Sequence, residues 1–201
     1  MSFKSDAQRK AVFAMLSRGE RLRKRLAKVA GVSKYEVDQI GEFRYTKDRM
    51  FLSPQTGLWK KTSEPALGSG GHYHMPTPLS EAGIWVRRKP AKFRAGFNWQ
   101  NRTPGLARET LKHEIGHNVY EMSSPRARRS IEMLLEKDAN EISSKEKTYR
   151  NMGSTEAFAR AYQQYRGKKG FAKSSHRPTG VENKRRAIAI ALRSLRGYEN
   201  S

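Results

Sequence analysis

Apolar residues recur at helical spacing along most of the chain and fall into short strand-like pieces in its middle. Ala11, Val12, Met15 and Leu16 form one stripe behind Ser5, with Gln8 as a capping-box partner, which predicts a helix ended by Gly19. Residues 20–30 place Leu22, Leu26 and Val29 on one side of a second helix, surrounded by Arg21, Arg23, Lys24, Arg25 and Lys28. Residues 31–65 break into short apolar pieces between Gly and Pro, which suits strands and turns. Gly83 to Val86 and Lys92 to Trp99 read as further strands, the second bulged at Gly96. From Leu106 the period is helical. One helix runs from Leu106 to Met122, and Ser124 and Pro125 cap and open the next, which carries Ile131, Leu134, Leu135 and Ile142. A third follows Gly153, capped by Ser154 or Thr155, to about Arg166, and a last one, Val181 to Arg196, aligns Ile188, Leu192 and Leu195. There is no internal repeat and no sustained heptad.

Punctuation and composition refine this picture. Gly68 to Pro78, GSGGHYHMPTP, reads as a loop. It divides a basic N-terminal region (1–67) from a domain over 81–170, with a loop at 68–80 and a basic C-terminal helix over 171–201. With 201 residues, 36% of them apolar, the chain can fill one modest core. Its 41 Lys and Arg against 19 Asp and Glu give a net charge of +22, carried by both halves. Such a field favours a polyanionic partner, whether nucleic acid, an anionic membrane surface or an acidic protein. The basic helix over 20–30 is either a solvated face above a core contact or a surface for nucleic acid or membrane. The absence of cysteine excludes disulfides and thiolate metal sites, leaving histidine and carboxylate as ligands. No signal-peptide core and no run of 18 apolar residues is present, so a soluble protein is expected, cytoplasmic or carried in a virion.

The residues that carry chemistry are His113, Glu114 and His117, in His-Glu-Ile-Gly-His. Two histidines four apart on a helix share a face and can bind one zinc, with the glutamate beside the metal where it can act on a bound water. With five histidines in the chain, a chance match of this kind has a probability of about 1%. Corroboration is therefore needed, because the alternative makes His113, His117, Lys112, Glu114 and Asn118 ordinary residues of a solvent-facing helix side. Gly116 costs about 1 kcal/mol relative to alanine inside a helix, which a close neighbour would explain. A catalytic zinc takes three protein ligands and leaves one position open. The residues three and six after His117 are Tyr120 and Ser123, which excludes the metzincin spacing. Glu156, in Ser-Thr-Glu-Ala-Phe-Ala, follows His117 by 39 residues at the start of another helix and is the preferred third ligand. Otherwise it is a first-turn glutamate facing its own helix dipole. His72 and His74 offer a further metal pair or a cover for the site, although a solvated loop accounts for both; His176 has no partner spacing.

His-Glu-Ile-Gly-His followed by Glu-Ala-Phe-Ala resembles the gluzincin group of zinc metallopeptidases, over roughly residues 83–166. Tyr149, seven residues before Glu156, makes the likeness closest to the catalytic domains related to anthrax lethal factor. The resemblance implies an α+β, zincin-like fold, with a small twisted mixed sheet packed on the active-site helix and a mostly helical C-terminal half. It implies that His113, His117 and Glu156 bind Zn2+, that Glu114 is the general base and that Tyr149 assists the transition state. It further implies a peptide substrate along an edge strand, for which Gly83 to Arg87 is the candidate, with Arg87, Arg88 and Lys89 suited to acidic side chains. One residue departs from the pattern: some gluzincins place an acid four positions after the ligand glutamate, where this chain has Arg160, which leaves Glu121, Asp138 and Glu141 as candidate substitutes for orienting a histidine. The expected function is a zinc metalloendopeptidase. The alternative is a basic, nucleic-acid-associated structural protein with a structural or degenerate zinc site, for which Phe3 to Phe13, similar to short N-terminal helices of phage and archaeal proteins, implies a virion or mobile-element setting.

Overall fold

The structure, a computed structural model, describes residues 19–46, 50–53, 55–61, 71–87, 104–145, 151–166 and 178–197. The expected helix from Ser5, the strand from Lys92 to Trp99, and Arg88, Lys89, Tyr149 and His176 lie outside the described residues.

Helix α1 covers residues 19–30, so Gly19 is helical rather than a stop. Its core side is set by steps of four: Leu26 and Ala30 are buried and Leu22 packs against them, whereas Val29, expected on that side, is exposed. The helix closes at Gly31, whose φ of 70° lies in the region glycine enters without a Cβ clash. There the N–H groups of Gly31 and Val32 both donate to the Ala27 carbonyl, at 2.8 and 3.0 Å.

A single 3-10 turn, Lys34–Val37, leads into β1 (Ile40–Thr46), β2 (Met50–Leu52), β3 (Trp59–Lys61), β4 (Gly71–His74) and β5 (Ala82–Arg87). Three of these make a mixed sheet in the order β1-β5-β4, with β1 parallel and β4 antiparallel to β5. Strands β2 and β3 form a separate antiparallel ribbon. Two expectations are corrected here. Gly71 to His74, placed within a loop over 68–80, is strand β4. Its glycine marks close packing and not a turn, since a Cβ on Gly71 would lie 2.6 Å from Glu114 Oε1 and 2.7 Å from Thr110 Cγ2. Gly83 to Arg87, taken as an edge, belongs to the central strand, and the edge beside the helices is β4. Alternation sorts β5: Ile84 and Val86 enter the main core, while Gly83 lies under the ribbon, where a Cβ would meet Trp59 Cζ2 at 2.7 Å.

The rest is helical: α2 (Pro104–Met122), α3 (Pro125–Lys145), α4 (Gly153–Arg166) and α5 (Pro178–Gly197). Ser124 caps α3 as expected, its Oγ accepting from the Ala127 N–H at 3.2 Å. At α4 the capping differs. Gly153 is already helical, and Thr155 Oγ1 donates backwards to the Met152 carbonyl at 3.2 Å. A Cβ on Gly153 would stand 2.6 Å from the Ala139 carbonyl oxygen, so this glycine lets α3 and α4 touch. One core joins Leu26, Val37 and Ile40 to Ile84, Ile115, Ile131, Phe158 and Ile188, drawing on both sides of the Gly/Pro-rich stretch. The architecture is α+β and mostly helical. Among the described residues no helix is long and apolar enough to cross a membrane.

Candidate metal centre

Helix α2 presents His113 and His117 one turn apart, and α4 crosses it at Gly116. A Cβ at that position would lie 2.9 Å from Ala159 Cα and 3.2 Å from Tyr162 Cβ, which is why the helix accepts a glycine there. The crossing brings Glu156, in the first turn of α4, onto the histidines. His113 Nε2 lies 3.2 Å from His117 Nε2, and Glu156 Oε2 lies 3.3 and 3.4 Å from the two nitrogens. A tetrahedral ion with bonds of about 2.05 Å holds its ligand atoms roughly 3.3 Å apart, so the three edges have the length that such an ion requires. Among the described residues this is the group of histidine and carboxylate atoms close enough to share an ion, three ligands and not four.

The surroundings are not those of a solvent-facing helix side. Lys112, Glu114 and Asn118 are 3%, 5% and 0% exposed. Burial pushes the Glu114 carboxyl up, against the pull of both histidines and a hydrogen bond from the Tyr73 N–H. For Glu156 burial works in the same direction, yet hydrogen bonds from His113, His117 and Arg160 overcome it and hold the carboxyl well below the usual carboxylate range. Burial disfavours the cation on His113, but the bond to Glu156 and the charge of Glu114 outweigh it, and its pKa is raised.

Arg160 donates from Nε to Glu156 Oε1 at 2.7 Å, leaving Oε2 toward the histidines. The cation four residues after Glu156 therefore orients that carboxylate, where an acid would have oriented a histidine. The proposed substitutes serve elsewhere: Glu121 meets Arg128 at 3.2 Å, Asp138 meets Lys184 at 3.4 Å, and Glu141 meets Lys145 at 2.6 Å. His72 and His74 do not join the triad. They sit on the ribbon side of β4, where His74 Nε2 accepts from the Leu52 N–H at 3.3 Å and its ring meets Trp59 edge-on at 5.1 Å. Tyr149 lies outside the described residues.

The sequence reading missed what stands behind His117. The Tyr73 ring, from β4, stacks on His117 with centroids 6.3 Å apart and planes 15° apart. Its hydroxyl, kept protonated by burial and by the charge of Glu121, donates to Asn118 Oδ1 at 3.3 Å. Asn118 Nδ2 in turn donates to the Glu36 carbonyl at 3.1 Å. The Glu36 side chain is fully buried and accepts from Ser33 N–H and Oγ at 2.7 Å each, from Arg166 Nη2 at 2.6 and 2.7 Å, and from the Tyr162 hydroxyl. Ser33-Lys-Tyr-Glu36 has the capping-box spacing, the one local signal by which the sequence could have pointed to Glu36. No protein-family model, curated protein or solved structure matches the chain.

Proposed function

We propose that the chain is a zinc-dependent metallopeptidase of zincin-like, gluzincin type, with His113, His117 and Glu156 as the metal ligands and Glu114 as the general base. The observation that carries this reading is the triangle of ligand atoms, 3.2, 3.3 and 3.4 Å on its edges, assembled from two helices beside a buried carboxylate. Histidine nitrogen and carboxylate oxygen without thiolate are ligands that zinc accepts, and three of them leave the open position that separates catalytic from structural sites. Zinc bound there supplies a Lewis acid that acidifies water and polarises a carbonyl.

The chain's own residues do the rest. Glu114 follows His113 directly, and its burial suits a group that takes a proton from water and returns it to the leaving amine. The Tyr73 N–H holds that carboxylate, and Arg160 holds Glu156 by its other oxygen. β4, the edge strand that passes Glu114 at Gly71, takes over from Gly83 to Arg87 as the strand along which an extended peptide would pair.

The test is zinc content and peptide hydrolysis on the same preparations. Wild type is expected to hold about one zinc per chain, His117→Ala and Glu156→Ala to lose it, and Glu114→Gln to keep it while losing hydrolysis. Wild type that takes up no supplied zinc, or Glu114→Gln that still cleaves, overturns the reading.

A further inference from the structure

Helix α5 has two unlike faces. Ala187, Ile188, Ala191 and Leu195 are buried in the core, whereas Arg185, Arg186, Arg193 and Arg196 are exposed. At 3.6 residues per turn those four arginines fall within an arc of about 100° and spread over about 16 Å of helix. Arg186, Arg193 and Arg196 have no acidic partner among the described residues. The Ser124 N–H donates to Ser194 Oγ at 2.9 Å, which sets the first turn of α3 beside the last turns of α5. That turn exposes Arg126 and Arg129 at the same end of the molecule.

We propose that the arginine face of α5, extended by Arg126 and Arg129, binds the phosphate backbone of duplex nucleic acid. The cations on this face are all arginine, whose forked guanidinium matches phosphate geometry better than an ammonium does. Glu182 is the single acid of α5. Among the described residues the exposed face of α5 carries no aromatic ring on which an unpaired base could stack, which favours a duplex over a single strand. The apolar side of α5 packs on the core, with Ile190 and Leu192 partly buried against it, which leaves no exposed apolar face to enter a bilayer. The chain's net charge of +22 adds attraction at long range. This surface is independent of the metal centre.

Fluorescence anisotropy with a DNA duplex of about 20 base pairs, run from about 50 to about 200 mM salt, tests it. The combined variant Arg186→Gln, Arg193→Gln, Arg196→Gln removes three exposed cations. A control, Lys24→Gln, Arg25→Gln, Lys28→Gln, removes the same charge from exposed positions of α1. Each phosphate contact contributes about 0.9 to the slope of log affinity against log salt, so the α5 variant should lower that slope by about 2.7 and bind at least tenfold more weakly at low salt. The control should stay close to wild type. Three results overturn the proposal: no duplex binding by wild type at low salt, equal losses in both variants, or capture by phosphatidylserine vesicles without duplex binding.

Discussion

Replacing Gly116 by alanine sets two effects against each other at the helix crossing. Alanine is the better helix former by about 1 kcal/mol, so on an open helix the variant would be the more stable. Here the new methyl would stand 2.9 Å from Ala159 Cα and 3.2 Å from Tyr162 Cβ, against ordinary carbon contacts of about 3.5 to 4.0 Å. Ala159 Cα is backbone and has no rotamer to change, so α4 must retreat by roughly 0.6 Å. Overpacking of this kind costs about 1 to 3 kcal/mol, which leaves a net loss of up to about 2 kcal/mol and a Tm lower by a few degrees. The larger effect falls on the metal. Ala159 lies three residues from Glu156 on α4, so the retreat lengthens the 3.3 and 3.4 Å separations that bring Glu156 to the histidines. Metal bonds tolerate deviations of about 0.2 Å, and zinc affinity should fall about 10- to 100-fold. Competition against a chromophoric chelator, with thermal unfolding of the same samples, measures both quantities. A variant with a raised Tm and wild-type zinc affinity would refute the argument that this crossing sets the site.

Three further perturbations address the supports. Glu36→Gln removes the charge that Arg166, Tyr162 and Ser33 surround, and urea unfolding should show a loss of about 3 kcal/mol; a loss below about 1 kcal/mol would mean the cluster is dispensable. Arg160→Gln frees the outer oxygen of Glu156 and should weaken zinc binding about tenfold; unchanged affinity would show that the 2.7 Å contact does not orient the ligand. In the metal-free protein Glu156, held below its ordinary 4.5, stabilises the fold above that pH and loses the contribution as pH falls through its folded value. His113, held above its ordinary 6.5, stabilises the fold below that pH and loses the contribution as pH rises through its folded value. The Tm gap between metal-free wild type and His113→Asn should thus be widest between 4.5 and 6.5 and narrow toward alkaline pH; a gap that widens there would refute the pairing.

The helical half of the fold was legible because α2, α3 and α5 announce themselves through period and punctuation, down to Ser124 and Pro125 at the start of α3. His113, Glu114 and His117 were legible for the same reason: their spacing and the helix period are one fact. Glu156 was reachable because a carboxylate at the start of a later helix still sits in a local motif. β4 was not legible. Gly71 reads as a turn residue in isolation, and only the nearness of Glu114 and Thr110 shows that it makes room for a helix. The place of β5 at the centre of the sheet depends on β1 pairing alongside it in parallel, a long-range choice that alternation cannot encode. Arg160 was read by its charge, as the wrong residue for orienting a histidine, whereas its geometry gives it a different task. Tyr73 and Asn118 carried no local signal, since their meeting requires β4 to lie along α2.

The Glu36 cluster also dictates when the molecule can exist. Glu36 and Arg166 are 130 positions apart, so the bond between them closes a large loop from the turn before β1 to the end of α4. Contacts of such separation form late in folding and slow it. During synthesis the first hundred residues emerge with a carboxylate that has no cation to meet, and the helix that carries Glu156 is the same helix that brings Arg166. The carboxylate proposed as third ligand and the cation that meets Glu36 therefore arrive together. A growing polypeptide has neither until α4 has been made, and one truncated before α4 never acquires them, so on the proposed reading metal binding must wait for that helix.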